Sequence, residues 1–264
     1  MVVNFNPWRL LTGSAAQVQF NNRYSVPFGN NIGKDSFQNN SVERFFDEKY
    51  IKAMIAQNPE LKNILNKNNM PVRLNMNELM ELKRGHCKDS AEICAKIYKV
   101  LPPALKSNVN ISNLKEGAML HDFGKVLIPP EILNKNGKLT PEEYNIMHLH
   151  SELGYQLLKK TGINDEVLSL VRNHHDNVNN ENFVPDVNLQ ILNLADRYSA
   201  LIENRVYKKA LTPQQALTII HRDVERGNVH PFLYKALVEA IRNESNQINP
   251  AQNTAMANAK PLNA

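Results

Sequence analysis

The sequence predicts an all-α protein, and three observations support this fold class. Two helix starts are marked by capping boxes, TPEE at residues 140–143 and TPQQ at residues 212–215, in which threonine caps the helix and proline occupies the first helical position. Apolar residues recur at helical spacing, as in Ile191, Leu194 and Tyr198. No segment alternates apolar and polar residues for long enough to indicate a sheet.

The N-terminal part divides into a polar lead and a short helical segment. Residues 1–40 are rich in Asn, Gln, Ser and Gly without sustained periodicity, so we expect a disordered lead. Residues 41–75 are expected to be helical. A first helix is predicted over residues 42–57, where aromatic and aliphatic residues recur at four-residue steps, and Pro59 and Pro71 bracket a second, short helix.

The rest of the chain is predicted to be one helical domain over residues 76–245, followed by a disordered tail over residues 246–264. Asn164 and the two acids after it mark a further helix start within the domain, because acidic side chains stabilise the positive end of a helix. The tail is assigned because the sequence from about residue 251 onward is of low complexity.

Composition sets broad limits on function. The 264 residues carry a net charge of +5, which suits an anionic substrate without requiring nucleic acid, or reflects only a solvated surface with extra lysines. No apolar run approaches the roughly 18 residues of a membrane helix, and the N-terminus does not resemble a secretory signal, so we expect a cytoplasmic protein. Cys87 and Cys94 lie seven residues apart on a predicted helix and are expected to be core residues, not a disulfide.

Seven potential metal ligands, each within helical sequence, form the most informative pattern. Imidazole and carboxylate together suit Fe, Mn, Zn or Ni better than Ca, and two ions sharing one carboxylate need about six protein ligands. Any one of these histidines alone would more often be an ordinary surface or core residue. His148 is interpreted in that way, as a structural residue pointing elsewhere. The seven are His86, His121, Asp122, His150, His174, His175 and Asp196.

The order of the motifs resembles an HD domain of the HD-GYP type, a family of cyclic-dinucleotide phosphodiesterases. The resemblance covers roughly residues 76–225 and involves several separated motifs in sequence order. In that order they are Gly85-His86, the run LHDFGK at residues 120–125, LTPEE at residues 139–143 leading to His150 and Gly154, His174-His175-Asp176, LADRYSAL at residues 194–201 and NRVYKKAL at residues 204–211.

The resemblance implies a helical bundle around a dinuclear metal site. By this likeness one ion would be bound by His86, His121, Asp122 and Asp196. The second would be bound by His150, His174 and His175, with Asp122 bridging the two. The ions are expected to be Fe or Mn, with Zn, Ni or Mg as alternatives.

Four basic residues are expected to meet the phosphate. Lys125 lies on the same helical face as Asp122, one turn on, and matches the family lysine near the scissile phosphate. Arg205, Lys208 and Lys209 would be a solvated basic helix end on residue pattern alone, but the resemblance indicates a phosphate clamp.

Two departures from the family pattern bear on the substrate. Residues 177–183 contain no Gly-Tyr-Pro sequence, and the position four residues before His86 is Leu82, with Glu81 one step away, where some relatives carry a glutamate linked to a third metal. We therefore expect two ions and a small anionic nucleotide or phosphoester as substrate. The favoured function is a metal-dependent phosphohydrolase, a phosphodiesterase for cyclic dinucleotides of the cyclic di-GMP type. The alternatives are an HD phosphohydrolase for another nucleotide or phosphoester and a non-catalytic binding module. A regulatory protein binding through residues 41–75 is a further expectation.

Overall fold

A computed structural model describes residues 42–175, 186–203 and 209–248. Within these ranges every regular element is a helix and no strand occurs, which confirms the all-α prediction. The predicted lead at residues 1–40 lies outside the described residues, as does the tail beyond residue 248. The last helix extends to Ile248, three residues past the predicted end of the domain.

The N-terminal segment begins with a 3₁₀ turn, Arg44–Phe46, followed by helices α1 (Glu48–Ala56) and α2 (Pro59–Lys67). The prediction of one continuous helix over residues 42–57 is wrong. Asp47 is extended, with ψ at 127°, and its side chain accepts a hydrogen bond from the amide of Tyr50, so it ends the first turn and caps α1. The predicted second helix is confirmed as α2.

The remaining helices begin at residue 76. A π-helical segment, Lys83–Cys87, continues directly from α3 into α4, and a 3₁₀ turn, Phe123–Leu127, follows α6. The three predicted helix starts are confirmed by capping bonds from Thr140, Asn164 and Thr212. The helices are α3 (Met76–Leu82), α4 (Lys88–Val100), α5 (Pro103–Lys106), α6 (Ile111–Leu120), α7 (Pro130–Leu133), α8 (Pro141–Leu158), α9 (Asp165–Asn173), α10 (Val187–Ile202), α11 (Pro213–Glu225) and α12 (Pro231–Ile248).

Two apolar clusters form the core. One joins α4 and α6 to α10, α11 and α12, and it contains Cys94. The other joins α1 and α2 to the 3₁₀ turn Phe123–Leu127 and to α8 and α9. In this cluster the ring of Phe46 contacts that of Phe123 edge-on, with their centroids 5.6 Å apart. Residues 42–75 therefore bury their apolar face against the rest of the domain, which leaves only their outer face for a partner.

The 3₁₀ turn Phe123–Leu127 approaches α8 so closely that position 124 requires glycine. A Cβ atom at Gly124 would lie 1.9 Å from the carbonyl oxygen of His150 and 2.5 Å from the amide nitrogen of Gly154. No side chain fits there without moving the backbone. This contact sets the separation between the turn that carries Asp122 and the helix that carries His150.

The length and the hydropathy of the described helices decide whether any of them could span a membrane. None of them combines the length and the apolar character that crossing a bilayer requires.

Candidate metal centre

The fold brings the seven predicted ligands together, mostly at helix ends. His121 is the C-cap of α6, Asp122 begins the 3₁₀ turn, and His174 is the C-cap of α9 with His175 directly after it. His150 and Asp196 lie inside α8 and α10. The expectation that each ligand sits within a helix is therefore wrong for four of the seven. At a helix end two consecutive side chains reach one site, which a helix interior prevents.

His86 lies in the π-helical segment between α3 and α4. A π-bulge adds one residue to a helical turn and so re-aims the side chains that follow it; such bulges are frequent at functional sites. His86 is buried, and its Nε2 atom lies 2.8 Å from Oδ1 of Asp196 and 3.7 Å from Oδ2 of Asp122. Glu81 is exposed, and among the described residues it belongs to neither candidate ligand group.

Three histidines converge as one group, with their Nε2 atoms facing each other. Nε2 of His150 lies 3.0 Å from Nε2 of His174 and 3.0 Å from Nε2 of His175. Nδ1 of His150 is 2.6 Å from the Met147 carbonyl oxygen, and Nδ1 of His174 is 2.8 Å from that of Val171. A carbonyl only accepts, so both Nδ1 atoms carry hydrogen, which leaves Nε2 of each ring free to offer its lone pair to a metal ion.

The second group contains His86, His121 and Asp122, with Asp196 beside it. Nδ1 of His121 donates to the Ala118 carbonyl at 2.7 Å, which leaves Nε2 facing the centre. That Nε2 atom is buried and makes no hydrogen bond to another described residue, although Oδ1 of Asp196 is 3.7 Å away. Buried polar atoms are rarely left without a partner, so this atom fits a cation at the centre.

Asp122 lies between the two groups and turns one carboxylate oxygen to each. Oδ2 is 3.5 Å from Nε2 of His121, whereas Oδ1 is 3.3 Å from Nε2 of His150 and 3.9 Å from Nε2 of His174. Its side chain is 3% exposed. A carboxylate with each oxygen directed at a different set of imidazoles has the arrangement of a bridging ligand.

The electrostatics keep both carboxylates charged. Burial alone would raise the pKa of Asp122, but Lys125, His121 and His150 hold it well below its ordinary value. Burial also opposes ionisation of Asp196, but the adjacent imidazoles of His121 and His86 hold its pKa well below the ordinary value. The site therefore presents two anionic ligands at neutral pH.

The pKa values of the histidines are shifted in opposite directions. Burial lowers the pKa of His121, but Asp122 and Asp196 outweigh burial and raise it overall. Burial and the neighbouring imidazoles lower the pKa of His174 well below its ordinary value, and desolvation with the charge of His150 lowers that of His175 to about 4. Neutral imidazole is the form that binds a metal, so His174 and His175 are ready ligands at neutral pH.

The predicted basic residues fall into two classes. Lys125 is at the site, where its ammonium donates to Oδ2 of Asp122 at 2.6 Å and its side chain is 16% exposed. Lys209 is exposed, and Arg205 and Lys208 lie outside the described residues. Residues 177–183, which lack the Gly-Tyr-Pro sequence, also lie outside them.

Three residues that the sequence reasoning did not assign are in contact with the ligands. Ser199 Oγ is 3.2 Å from Nδ1 of His86, and Glu203 Oε2 is 3.7 Å from the same atom. Ser199 follows Asp196 by three residues and Glu203 follows it by seven. This spacing places both on the same face of the helix as Asp196 and could have identified them from the sequence. His148 does not point away from the site as expected, because its ring centroid is 5.2 Å from that of His175.

The arrangement fits divalent metal ions on the chemistry of its donors. Imidazole nitrogens with their lone pairs facing inward, two ionised carboxylates and fixed tautomers are the features of a transition-metal site, and backbone carbonyls orient the rings from behind.

Comparison with known proteins gives one family and several partial relatives. Residues 84–201 match the family model described as HD domain. The cyclic di-GMP phosphodiesterase response regulator RpfG of Xanthomonas campestris is 31% identical over 135 residues, which are 47% of this chain and 34% of that protein. The 3'3'-cGAMP-specific phosphodiesterase 1 of Vibrio cholerae is 26% identical over 161 residues, 58% of this chain and 36% of that protein.

A solved structure is also similar at lower identity. The HD domain of the L. monocytogenes phosphodiesterase PgpH, in complex with cyclic-di-AMP, is 18% identical, with a TM-score of 0.46 over 62% of this chain and 89% of that one. The chain spans about a third of the length of the curated relatives it matches. The matched region contains every one of the seven clustered ligands, in the order that the motifs predicted. Residues 84–201, somewhat less than half of the chain, therefore form an HD domain.

Proposed function

We propose that this chain is a metal-dependent phosphodiesterase that hydrolyses a cyclic dinucleotide of the cyclic di-GMP class. One observation carries the proposal: Asp122 directs one carboxylate oxygen to each of two ligand groups whose imidazole lone pairs point inward. Paired divalent ions that share a carboxylate are typical of phosphatases and nucleases.

Each of the seven ligands has a role in this proposal. His86, His121, Asp122 and Asp196 hold one ion, and His150, His174 and His175 hold the other, with Asp122 contributing to both. Fe or Mn suits the mixed nitrogen and oxygen donors, with Zn, Ni or Mg as alternatives. Bound there, divalent ions lower the pKa of water toward neutrality and offset charge on phosphate oxygens.

The protein's own groups orient the site and balance its charge. Lys125 donates to Oδ2 of Asp122, so its ammonium fixes the carboxylate and adds positive charge at the accessible side of the centre. We assign it a second contact, to a phosphate oxygen of the substrate, where it offsets charge that develops during cleavage. Ser199 accepts from Nδ1 of His86 and thereby keeps Nε2 directed at the centre.

The substrate class rests on the relatives and on the basic residues. Proteins named for cyclic di-GMP and for 3'3'-cGAMP both match this domain, so the two-base, two-phosphate ring is the shared chemistry. In our proposal Arg205, Lys208 and Lys209 clamp its phosphates. The sequence of residues 177–183 favours the second candidate, hydrolysis of a different nucleotide or phosphoester. A non-catalytic binding module is disfavoured, because such a module has no need to keep all seven ligands.

Residues 41–75 provide the expected place for a regulatory protein. The apolar face of this segment is buried against the domain, so such a protein would contact the outer face of α1 and α2. This partner remains a proposal that rests on the position of the segment alone.

The test combines metal analysis with turnover. Protein purified anaerobically from Fe- and Mn-supplemented cultures should contain about two transition-metal ions per chain, as a bridged pair requires. It should hydrolyse bis(p-nitrophenyl) phosphate, and cyclic di-GMP more slowly, because residues 177–183 lack the Gly-Tyr-Pro sequence of the family and are expected to contact the remote base less well. Arg205→Ala should slow both reactions. A metal content near zero, or no turnover by protein shown to contain metal, would contradict the proposal.

A further inference from the structure

A row of aromatic rings extends from the candidate metal centre into solvent along the start of α8. Its outer member is Tyr144, whose side chain is 55% exposed. Among the described residues only Val72 is a comparably exposed large hydrophobic side chain, and it lies in the connection before α3. Exposed aromatic surface beside a polar site is a common feature of ligand-binding surfaces.

The rings are in contact from one end of the row to the other. The Tyr144 and His148 centroids are 4.3 Å apart with planes inclined at 52°, and those of His148 and His175 are 5.2 Å apart. His175 in turn lies 4.8 Å from His150, edge to face. Tyr144 and His148 are four residues apart and so share one face of α8. The row therefore joins an exposed ring to a proposed metal ligand without a break.

Helix stability alone does not account for this arrangement. A ring pair at four-residue spacing stabilises a helix by a small amount wherever it occurs. Here the pair adjoins His175, which is the exposed member of its ligand group, whereas His150 and His174 are buried. Tyr144 belongs to neither apolar cluster of the core.

We propose that Tyr144 and His148 form a stacking platform for the planar base of the substrate and thereby select nucleotide phosphoesters. The inference rests on the proposed function, since it assigns the base of a substrate whose phosphate lies at the metal centre. A base stacks on an aromatic side chain with little regard to its identity, because every base has a π face. The platform therefore distinguishes nucleotides from phosphoesters without a ring, not one base from another.

The test measures binding directly, so that it does not depend on turnover. Guanosine 5′-monophosphate and ribose 5-phosphate carry the same phosphate and sugar and differ in the base. Calorimetry on the Mn-loaded full chain should give about tenfold tighter binding of the nucleotide. Tyr144→Ala should remove that difference and leave ribose 5-phosphate binding unchanged. Tyr144→Phe should keep the difference, because the ring remains.

Two further variants complete the design. His148→Ala should reduce the preference for the nucleotide while leaving metal content unchanged. Asn145→Ala, at the exposed neighbouring position of α8, is the matched control and should bind both compounds as the wild type does.

Three outcomes would overturn the inference: equal binding of the two compounds by the wild type, equal losses of both in Tyr144→Ala, or no binding of either. Parallel rates with bis(p-nitrophenyl) phosphate and cyclic di-GMP separate this from the proposed function. Turnover without a Tyr144-dependent preference contradicts only the platform. A Tyr144-dependent preference without turnover contradicts only the catalytic proposal.

Discussion

The two ligand groups on either side of Asp122 differ in charge and in access. In one group His86 and His121 are buried and the Asp196 carboxylate lies beside them, whereas the group of His150, His174 and His175 contains only imidazoles and is exposed at His175. Carboxylates raise the pKa of His121, while neighbouring rings and burial lower those of His174 and His175. Protons therefore compete with metal ions at His121, whereas His174 and His175 are neutral ligands at neutral pH.

The largest effect is expected from the residue that the two groups share. Asp122→Ala should abolish turnover and reduce metal content from about two ions to below one, because both groups lose a ligand and Lys125 loses its buried partner. Elemental analysis and initial rates measure both. Asp223→Ala, which removes another buried carboxylate that pairs with Arg197, is the control for a general loss of stability. Equal metal loss in both variants would contradict a bridging role.

The two groups should also be separable. His175→Ala should remove one ion and leave the other, since His175 belongs only to the all-imidazole group, and His86→Ala should remove the ion of the carboxylate group. Each variant is expected to retain about one ion per chain by elemental analysis. Loss of both ions in each variant would show that the groups do not bind independently.

The close contact between Gly124 and α8, which sets the separation of the two ligand groups, should be sensitive to substitution. Gly124→Ala should lower the free energy of unfolding by at least about 1–3 kcal/mol, because the new Cβ meets the His150 carbonyl at 1.9 Å. Gly85→Ala is the matched control, since a Cβ there meets nothing closer than Glu203 at 3.8 Å. Urea denaturation of the two variants compares them. Similar midpoints would mean that the turn and α8 are not in close contact.

The pH dependence of metal binding should distinguish the groups. The raised pKa of His121 stabilises the metal-free fold at low pH, and this contribution is lost as pH rises through the folded value. A metal must displace that proton, so affinity of the carboxylate group should rise about tenfold per pH unit until the raised pKa is passed. His174 and His175, whose pKa values lie below the ordinary value, add little pH dependence to the other group above pH 5. Metal titrations between pH 5 and 8 measure the affinity of the carboxylate group in His175→Ala and of the all-imidazole group in His86→Ala. Identical slopes of affinity against pH would contradict the expected difference between the two groups.

The smallest effect is expected at the chain ends. Removing residues 1–40 and 251–264 should leave the melting temperature nearly unchanged, because these segments lack the apolar periodicity that burial requires. Removing residues 1–75 instead should unfold the domain, since α1 and α2 contribute to one of its two apolar clusters. A drop of many degrees in the first truncation would show that the lead packs on the domain.

The seven candidate ligands were predictable because their motifs keep a fixed order, and the structure does bring them together. Their local setting was not predictable. The π-helical segment at His86 depends on how α3 and α4 pack, which no spacing rule encodes, and the tautomers of His121 and His150 depend on carbonyls three residues earlier. His148 was misjudged because its two-residue separation from His150 suggests opposite faces, whereas His175 reaches past the end of α9 to meet both.

The central claim is that Asp122 bridges two metal ions, and anomalous diffraction from crystals of anaerobically Fe-loaded protein tests it most directly. We expect two iron peaks, one beside His86, His121 and Asp196 and one beside His150, His174 and His175, with one carboxylate oxygen of Asp122 bound to each. A single peak, or two peaks of which only one contacts Asp122, would contradict it.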